Sequence, residues 1–144
     1  MAITHAWERM ACDYWQQNQN NQQLFGLVQG GVFTESRQKS AESLMKHPFS
    51  GYAIGGLSVG EPMDDLASIT TFTAALLPVN KPRYLMGVGL PENFETAIAS
   101  GIDMFDCVMP TRSGRTGLAF TWDGKLSLRN SKFQKDQTPL DDKC

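Results

Sequence analysis

The chain has 144 residues, of which 41% are hydrophobic and 19% charged, a balance typical of one soluble globular unit with its own core. It contains no run of about 18 apolar residues, and residues 1–9 lack the basic start and apolar stretch of a secretory signal. These features argue against a membrane or secreted protein and predict a cytoplasmic one. Cys12, Cys107 and Cys144 are odd in number and lack CxxC spacing, which argues against a disulfide framework or a complete metal site.

The net charge of −2 conceals an uneven distribution of charge along the chain. Residues 111–135 carry six basic side chains against one acid, a local charge of +5, so the remainder of the chain carries −7. A basic segment in an acidic protein can dock a polyanion such as a nucleic acid. A solvated surface would explain the same segment equally well.

Hydrophobic periodicity predicts an alternation of helices and strands from residue 3 to residue 108. The first helix spans 3–17, where Ala6, Met10, Ala11, Tyr14 and Trp15 recur at helical spacing. Strands are predicted at 24–28, 51–56, 83–89 and 102–108, with helices at 35–46, 62–77 and 91–100. These four βα units imply a parallel sheet, either open and doubly wound or part of a closed barrel. After Pro110 the pattern changes, and the Asp123-Gly124 dipeptide predicts a β-hairpin within 117–130.

Glycine and polar residues cluster at the predicted carboxyl ends of the strands, where parallel α/β folds carry their ligand sites. Seven glycines lie there, together with Gln29, Glu61, Met86 and Asp106. An amide could bind a base edge, a thioether could lie against a flat ring, and a carboxylate could act as base or nucleophile. Ordinary roles also fit: Met86 as core filler, Glu61 as a charge at a helix start, and Asp106 as a loop cap.

Four consecutive segments resemble the signature blocks of bacterial-type tRNA-guanine transglycosylases. They are LFGLVQGG (24–31), GYAIGGLSVGEP (51–62), KPRYLMGVGLPE (81–92) and GIDMFDCVMPTRSGRTG (101–117). The resemblance implies a (β/α)8 TIM barrel carrying a zinc-binding subdomain. The chain would form a single unit that holds about half of that barrel, with βα units in 1–110. Residues 111–144 would supply an RNA-contacting hairpin and the start of the zinc subdomain.

By this resemblance Asp106 is the nucleophile that attacks the ribose C1′ of guanosine at the wobble position of tRNAs with GUN anticodons. A covalent tRNA adduct forms, and an incoming base then displaces the carboxylate. The resemblance implies that the base is bound by Gln29, Gly56, Leu57, Val59, Glu61 and Met86. Gln29 and Gly56 would hydrogen-bond the purine, and Glu61 would steady the Gly56–Leu57 peptide. Valine at position 59 resembles the bacterial type, so the expected incoming base is 7-aminomethyl-7-deazaguanine (preQ1), within queuosine biosynthesis.

Two segments match the parts of this family that contact the tRNA anticodon loop. They comprise Gly87, Val88, Gly89, Leu90, Pro91, Glu92 and Asn93, and then Thr111, Arg112, Ser113, Gly114 and Arg115. The second segment lies in the basic run, whose charge suits phosphate contacts. The family resemblance also implies a homodimer for the full-length enzyme and no organic cofactor.

The resemblance is incomplete at both ends of the chain. The family's general acid/base aspartate has no counterpart here, and Cys144 matches only the first of four zinc ligands. We therefore interpret the chain as a fragment or incomplete gene product that is inactive by itself. One alternative is a non-catalytic tRNA-binding or interaction module. Another is an unrelated barrel enzyme whose glycine-rich edge binds a phosphate ligand.

Overall fold

A computed structural model of the protein describes residues 1–18 and 20–141. The chain forms two compact units, Met1–Cys107 and Val108–Cys144. The helices and strands of the first unit, in chain order, are α1 Ala2–Gln17, β1 Phe25–Val28, α2 Thr34–Leu44, β2 Gly51–Ile54, α3 Met63–Leu76, β3 Arg83–Leu85, α4 Pro91–Ala99 and β4 Met104–Phe105. The predicted alternation is confirmed, although β2, β3 and β4 end at Ile54, Leu85 and Phe105, before their predicted ends at residues 56, 89 and 108.

The four strands of the first unit form one parallel sheet in the order β1-β2-β3-β4. Each connection steps to the next strand in the same direction, and consecutive helices contact one another from α1 to α4. A doubly wound sheet would reverse direction partway along its strand order. The uninterrupted order is consistent with part of a (β/α)8 barrel, because a barrel adds its strands one after another around the axis.

The face of helix α1 that packs against the rest of the unit differs from the face that its large apolar residues predict. Cys12 is the buried residue of the helix, whereas Met10 and Tyr14 are 64% and 69% exposed. The inward stripe contains Glu8 and Trp15, which are half-buried. The helical periodicity of 3–17 thus predicts the element correctly, but Met10 and Tyr14 do not pack into the core of this unit.

Helices α2 and α3 each bury a stripe at the spacing expected of a helix that packs against a sheet. In α3 the buried residues are Leu66, Ile69, Thr70, Thr73 and Ala74. In α2 they are Arg37, Ser40, Ala41 and Leu44, so this stripe contains a guanidinium and a hydroxyl. These stripes cover strand residues of the core such as Val28, Ile54 and Leu85.

The second unit contains α5 Met109–Thr116, the strands β5 Leu118–Thr121 and β6 Gly124–Ser127, and a short 3-10 helix, η1 Ser131–Phe133. The predicted hairpin is confirmed, since β5 and β6 pair antiparallel with Thr121 opposite Gly124. Helix α5 was not predicted. Its Pro110 at the first turn and left-handed Gly117 at its end are the usual start and stop signals of a helix.

The predicted zinc ligand Cys144 lies outside the described residues. Within 1–18 and 20–141, no group of three or more His, Cys, Asp or Glu side chains is placed to hold a metal ion. A structural zinc site needs about four ligands, so the described residues do not fit one. None of the helices in this described part is long and apolar enough to cross a membrane.

Candidate active site

The sheet register brings the predicted site residues of the first unit to one edge. Val28 pairs with Ile54, Ile54 with Leu85, and Leu85 with Phe105. These four residues lie at one level across the sheet, and each is the last of its strand. The residues that follow them are therefore neighbours along the carboxyl edge of the sheet, namely Gln29, Gly55, Met86 and Asp106.

Asp106 is an exposed carboxylate that two donors hold in place. The N–H of Gly87 donates to Oδ1 at 2.8 Å, and the hydroxyl of Tyr84 donates to the same oxygen at 2.7 Å. The Gly87 N–H, followed by the Tyr84 hydroxyl, lowers the pKa of Asp106 below its ordinary value, outweighing burial. The same bond, with burial, raises the pKa of Tyr84, so its hydroxyl stays a donor at neutral pH. Asp106 is thus an oriented anion.

The carboxylate oxygen Oδ2 is the one available for chemistry. Both donors are directed at Oδ1, and among the described residues Oδ2 accepts no hydrogen bond. An ionised carboxylate with one restrained oxygen and one free oxygen can act as a nucleophile or stabilise a positive centre.

Gln29 and Gly56 lie against each other beside this edge. A Cβ atom added to Gly56 would lie 2.7 Å from Oε1 of Gln29, and Gly56 has a φ of +65°. Only glycine satisfies both conditions without strain. Gly56 is exposed, Leu57 is 4% exposed and belongs to the core, and Met86 is 36% exposed. A side-chain amide, an exposed backbone and a thioether thus follow three neighbouring strands at this edge, and Leu57 is buried in the core.

Glu61 organises the turn that follows Gly56. Its carboxylate accepts hydrogen bonds from the N–H of Ser58 and, at 3.0 Å, from the N–H of Val59. Ser58 has a φ of +61°, a conformation that costs energy for a residue with a side chain. Burial raises the pKa of Glu61, but hydrogen bonds from backbone N–H groups, Ser58 first, outweigh it and lower the pKa. Glu61 thus holds the two peptides that follow Gly56–Leu57, and its expected contact with the Gly56–Leu57 peptide itself stays a prediction.

Gly89 allows the turn after β3 to approach β4. A Cβ atom at Gly89 would lie 2.1 Å from Cβ of Cys107, which no side chain could tolerate without backbone movement. The Gly87 N–H that bonds Asp106 is in the same turn. The glycine therefore serves a close approach that supports the carboxylate.

The two segments expected to contact RNA differ in what they expose. In the first, Val88 is 1% exposed and packs in the core, so its side chain is not available to a ligand. In the second, Arg112 and Arg115 are exposed on α5, whereas Ser113 is 4% exposed. Val88 and Ser113 could therefore contribute to RNA binding through their backbone groups but not through their side chains.

Two residues that belong to this edge, Tyr84 and Arg37, were not predicted from the sequence. Tyr84 bonds Asp106, and Arg37 is fully buried behind the turns that carry Gln29 and Gly56. A signal for Arg37 was present, because it lies one helical turn before Ala41 on the face that α2 buries.

A family whose description is "Queuine tRNA-ribosyltransferase" matches residues 1–144. Proteins named queuine tRNA-ribosyltransferase are similar in Zymomonas mobilis (52% identity over 94% of this chain and 35% of that protein) and in Mannheimia succiniciproducens (49% over 100% and 38%). Another, from Azoarcus, is 50% identical over 100% of this chain and 39% of its own length. The chain thus spans less than two fifths of the relatives it matches.

Proposed function

Because this chain belongs to the queuine tRNA-ribosyltransferase family, we propose that it supplies the nucleophile, the base-binding edge and part of the RNA surface of a tRNA-guanine transglycosylase. The observation that carries the proposal is the oriented Asp106 carboxylate on the same carboxyl edge of the sheet as Gln29 and Gly56. A nucleophile for a sugar carbon and a binding edge for the base attached to that sugar are the two parts that glycosyl transfer requires.

In the proposed reaction, Oδ2 of Asp106 attacks C1′ of the ribose of a guanosine in tRNA. The bond between C1′ and N9 breaks, and guanine leaves with the bonding electrons and a proton from an acid outside this chain. The incoming base then gives its N9 proton to the conjugate base of that acid, attacks C1′ through N9, and displaces the carboxylate. Because each step inverts C1′, the original stereochemistry returns. Asp106 suits this role because its lowered pKa keeps it ionised at neutral pH.

The incoming base that we propose is preQ1. Gln29 and Gly56 would hydrogen-bond the purine edge, and Met86 would pack on its face. Val59 is 83% exposed on the turn that Glu61 holds, so its side chain is free to limit the substituent on the base. Val59→Gly should therefore raise activity with bases that carry a bulkier 7-substituent.

The RNA partner that we propose is the anticodon loop of tRNA, with exchange at the wobble guanosine of GUN anticodons. Arg112 and Arg115 on α5 provide exposed cations for phosphates. A flipped base must leave its stack to reach a pocket, which is the ordinary logic of enzymes that act on bases. As in the family, the full-length enzyme would form a homodimer.

The test is a chimera in which residues 1–144 replace the matched segment of the Mannheimia relative, hereafter the chimera. We expect it to incorporate labelled guanine into a tRNA with a GUN anticodon, and to form an adduct that survives denaturing electrophoresis. Asp106→Asn should abolish exchange and adduct together, since an amide nitrogen or oxygen is a poor nucleophile here.

Asp103→Asn is the matched control, because Asp103 lies just before β4 and binds the N–H of Arg83. Its variant should keep both exchange and adduct. Exchange that persists in Asp106→Asn would refute the proposal. Binding of tRNA by the chimera without any exchange would favour a non-catalytic RNA-binding role instead.

A further inference from the structure

Arg37 connects the turns at the ends of β1 and β2 through carbonyl oxygens alone. Its side chain is fully buried on α2. Nε donates to the carbonyl of Gly31 at 2.8 Å and Nη1 to that of Val28 at 3.3 Å. Nη2 donates to the carbonyls of Gly55 at 2.9 Å and of Gly56 at 3.4 Å. One planar cation thus fixes the spacing between the turn of Gln29 and the turn of Gly56.

The charge of Arg37 is costly where it lies. Burial lowers its pKa to about 10, while the negative charge of Glu61 opposes that change. The group therefore stays protonated at neutral pH. Within the described residues no carboxylate is in salt-bridge contact with it, since the ion pair found there is Lys39–Glu35. A buried cation without a bonded anion is unfavourable for stability alone, which points to a use for the charge.

That use follows from the peptide group between Gly55 and Gly56. The carbonyl oxygen of this peptide, which belongs to Gly55, accepts a hydrogen bond from Nη2 of Arg37. The N–H of the same peptide belongs to Gly56, which is exposed. In the described part of the chain, the Gly56 N–H donates to no acceptor. A cation on the carbonyl end draws electrons from the amide and makes its N–H a stronger donor, because linked hydrogen bonds polarise each other.

We propose that Arg37 is a positioning residue that fixes and polarises the Gly55–Gly56 peptide, so that the Gly56 N–H binds the 6-oxo group of a purine beside Gln29. This inference rests on the proposed function, since it assumes that the edge binds a base. It makes Arg37 a determinant of specificity. A 6-oxopurine offers an acceptor to the N–H, whereas a purine without that oxygen offers none and leaves the donor unpaired.

The experiment measures dissociation constants of the chimera for guanine and for 2-aminopurine, which lacks the 6-oxo group. The ratio of the two constants reports the contribution of that oxygen. In Arg37→Met, guanine binding should weaken by about ten- to thirty-fold while 2-aminopurine binding changes less than about twofold, so the ratio collapses. Arg37→Lys keeps the cation but lacks the planar group, and should give an intermediate ratio.

Arg83→Met is the matched control. Arg83 is also a buried arginine, and it donates hydrogen bonds to the carbonyl oxygens of Leu77 at 2.6 Å and Gly101 at 3.4 Å. It lies at the start of β3, at the opposite end of the strand from Met86. This variant should lower the free energy of unfolding and leave the binding ratio unchanged.

Three results would overturn the inference. In Arg37→Met, they are an unchanged ratio with unchanged binding of both bases, and an unchanged ratio because both bases bind equally more weakly. If Arg37→Met does not fold, an unchanged ratio in Arg37→Lys overturns it. Failure of the proposed function is distinguishable, because it would appear as absence of guanine exchange in the unsubstituted chimera. Exchange by that chimera together with an unchanged ratio would reject only the role of Arg37.

Discussion

Removing the hydroxyl of Tyr84 tests whether the orientation of Asp106 matters for the proposed reaction. In Tyr84→Phe the ring remains and one hydrogen bond to Oδ1, 2.7 Å long, is lost. A hydrogen bond to a charged group contributes about 1.5–3 kcal/mol. Asp106 is exposed, so water replaces part of the lost bond and the low end applies. A loss of about 1.4 kcal/mol corresponds to roughly a tenfold lower rate of adduct formation.

The expected pH dependence distinguishes orientation from ionisation. The pKa of Asp106 lies below its ordinary value because of Gly87 first and Tyr84 second. The stability that its hydrogen bonds contribute is therefore fully present above the pKa that Asp106 has in the unfolded chain. That stability is lost as the pH falls through the lower pKa that Asp106 has in the folded chain. In Tyr84→Phe the pKa rises, but the Gly87 N–H remains. The carboxylate stays ionised from about pH 5.5 to pH 8, so the tenfold loss should be the same throughout that range.

The assay is single-turnover formation of the covalent tRNA adduct by the chimera, with Tyr52→Phe as control. Tyr52 is buried in β2 and contacts the ring of Phe49, away from Asp106, so its variant measures the general cost of removing a tyrosine hydroxyl. A Tyr84→Phe rate within twofold of the unsubstituted chimera would refute the reasoning. So would a loss that deepens as the pH falls, or an equal loss in the control.

Three further predictions concern the turns and helix α1. Gly89→Ala should lower the free energy of unfolding, measured by urea titration, by about 1–3 kcal/mol because its Cβ would overlap Cys107. Gly114→Ala is the control: its Cβ would meet no atom within 4 Å, so the free energy of unfolding should stay the same or rise. Glu61→Gln should raise the KM of the chimera for the free base about five- to tenfold with little change for tRNA, since an amide cannot accept from both Ser58 and Val59 as a carboxylate does. Burial raises the pKa of Glu8 to about 7 from 4.5, and its buried oxygens have no hydrogen-bond partner in the described residues. Stability should therefore fall as the pH rises from 4.5 to 7, and Glu8→Gln should remove that fall and add about 1–2 kcal/mol above pH 7.

The strands and helices of the first unit could be predicted because glycine and hydrophobic spacing mark them directly. Gly55 and Gly87 follow the ends of β2 and β3 and leave a sharp change in composition there, and the buried stripe of α3 repeats at three and four residues. The orientation of α1 could not be obtained in this way. Large apolar residues define an amphipathic face, but Cys12 and Glu8 are the residues that this unit packs against. Hydropathy identifies a helix, whereas its neighbours decide which face is covered.

The site was predictable to the extent that its residues follow the strand ends. Gln29, Met86 and Asp106 could be placed together because the carboxyl ends of parallel strands share an edge. Arg37 reaches that edge from a helix, and a single arginine in a helical sequence is ordinarily exposed. Its place on the apolar face of α2 is a local signal, but the distance between the two turns that it bonds is set by the packed sheet and by no local pattern.

Tyr84 shows what the register adds to the sequence. Side chains alternate along a strand, so Tyr84 and Met86 belong to the same face of β3. Tyr84 pairs with Met104, and Asp106 lies two residues further along, which makes Tyr84 and Asp106 diagonal neighbours within reach of a long side chain. Once the pairing of β3 with β4 is known, the bond from hydroxyl to carboxylate follows from spacing alone. A shift of this register by one residue would send Tyr84 and Asp106 to opposite faces, so the orientation of the proposed nucleophile depends on the pairing of two short strands.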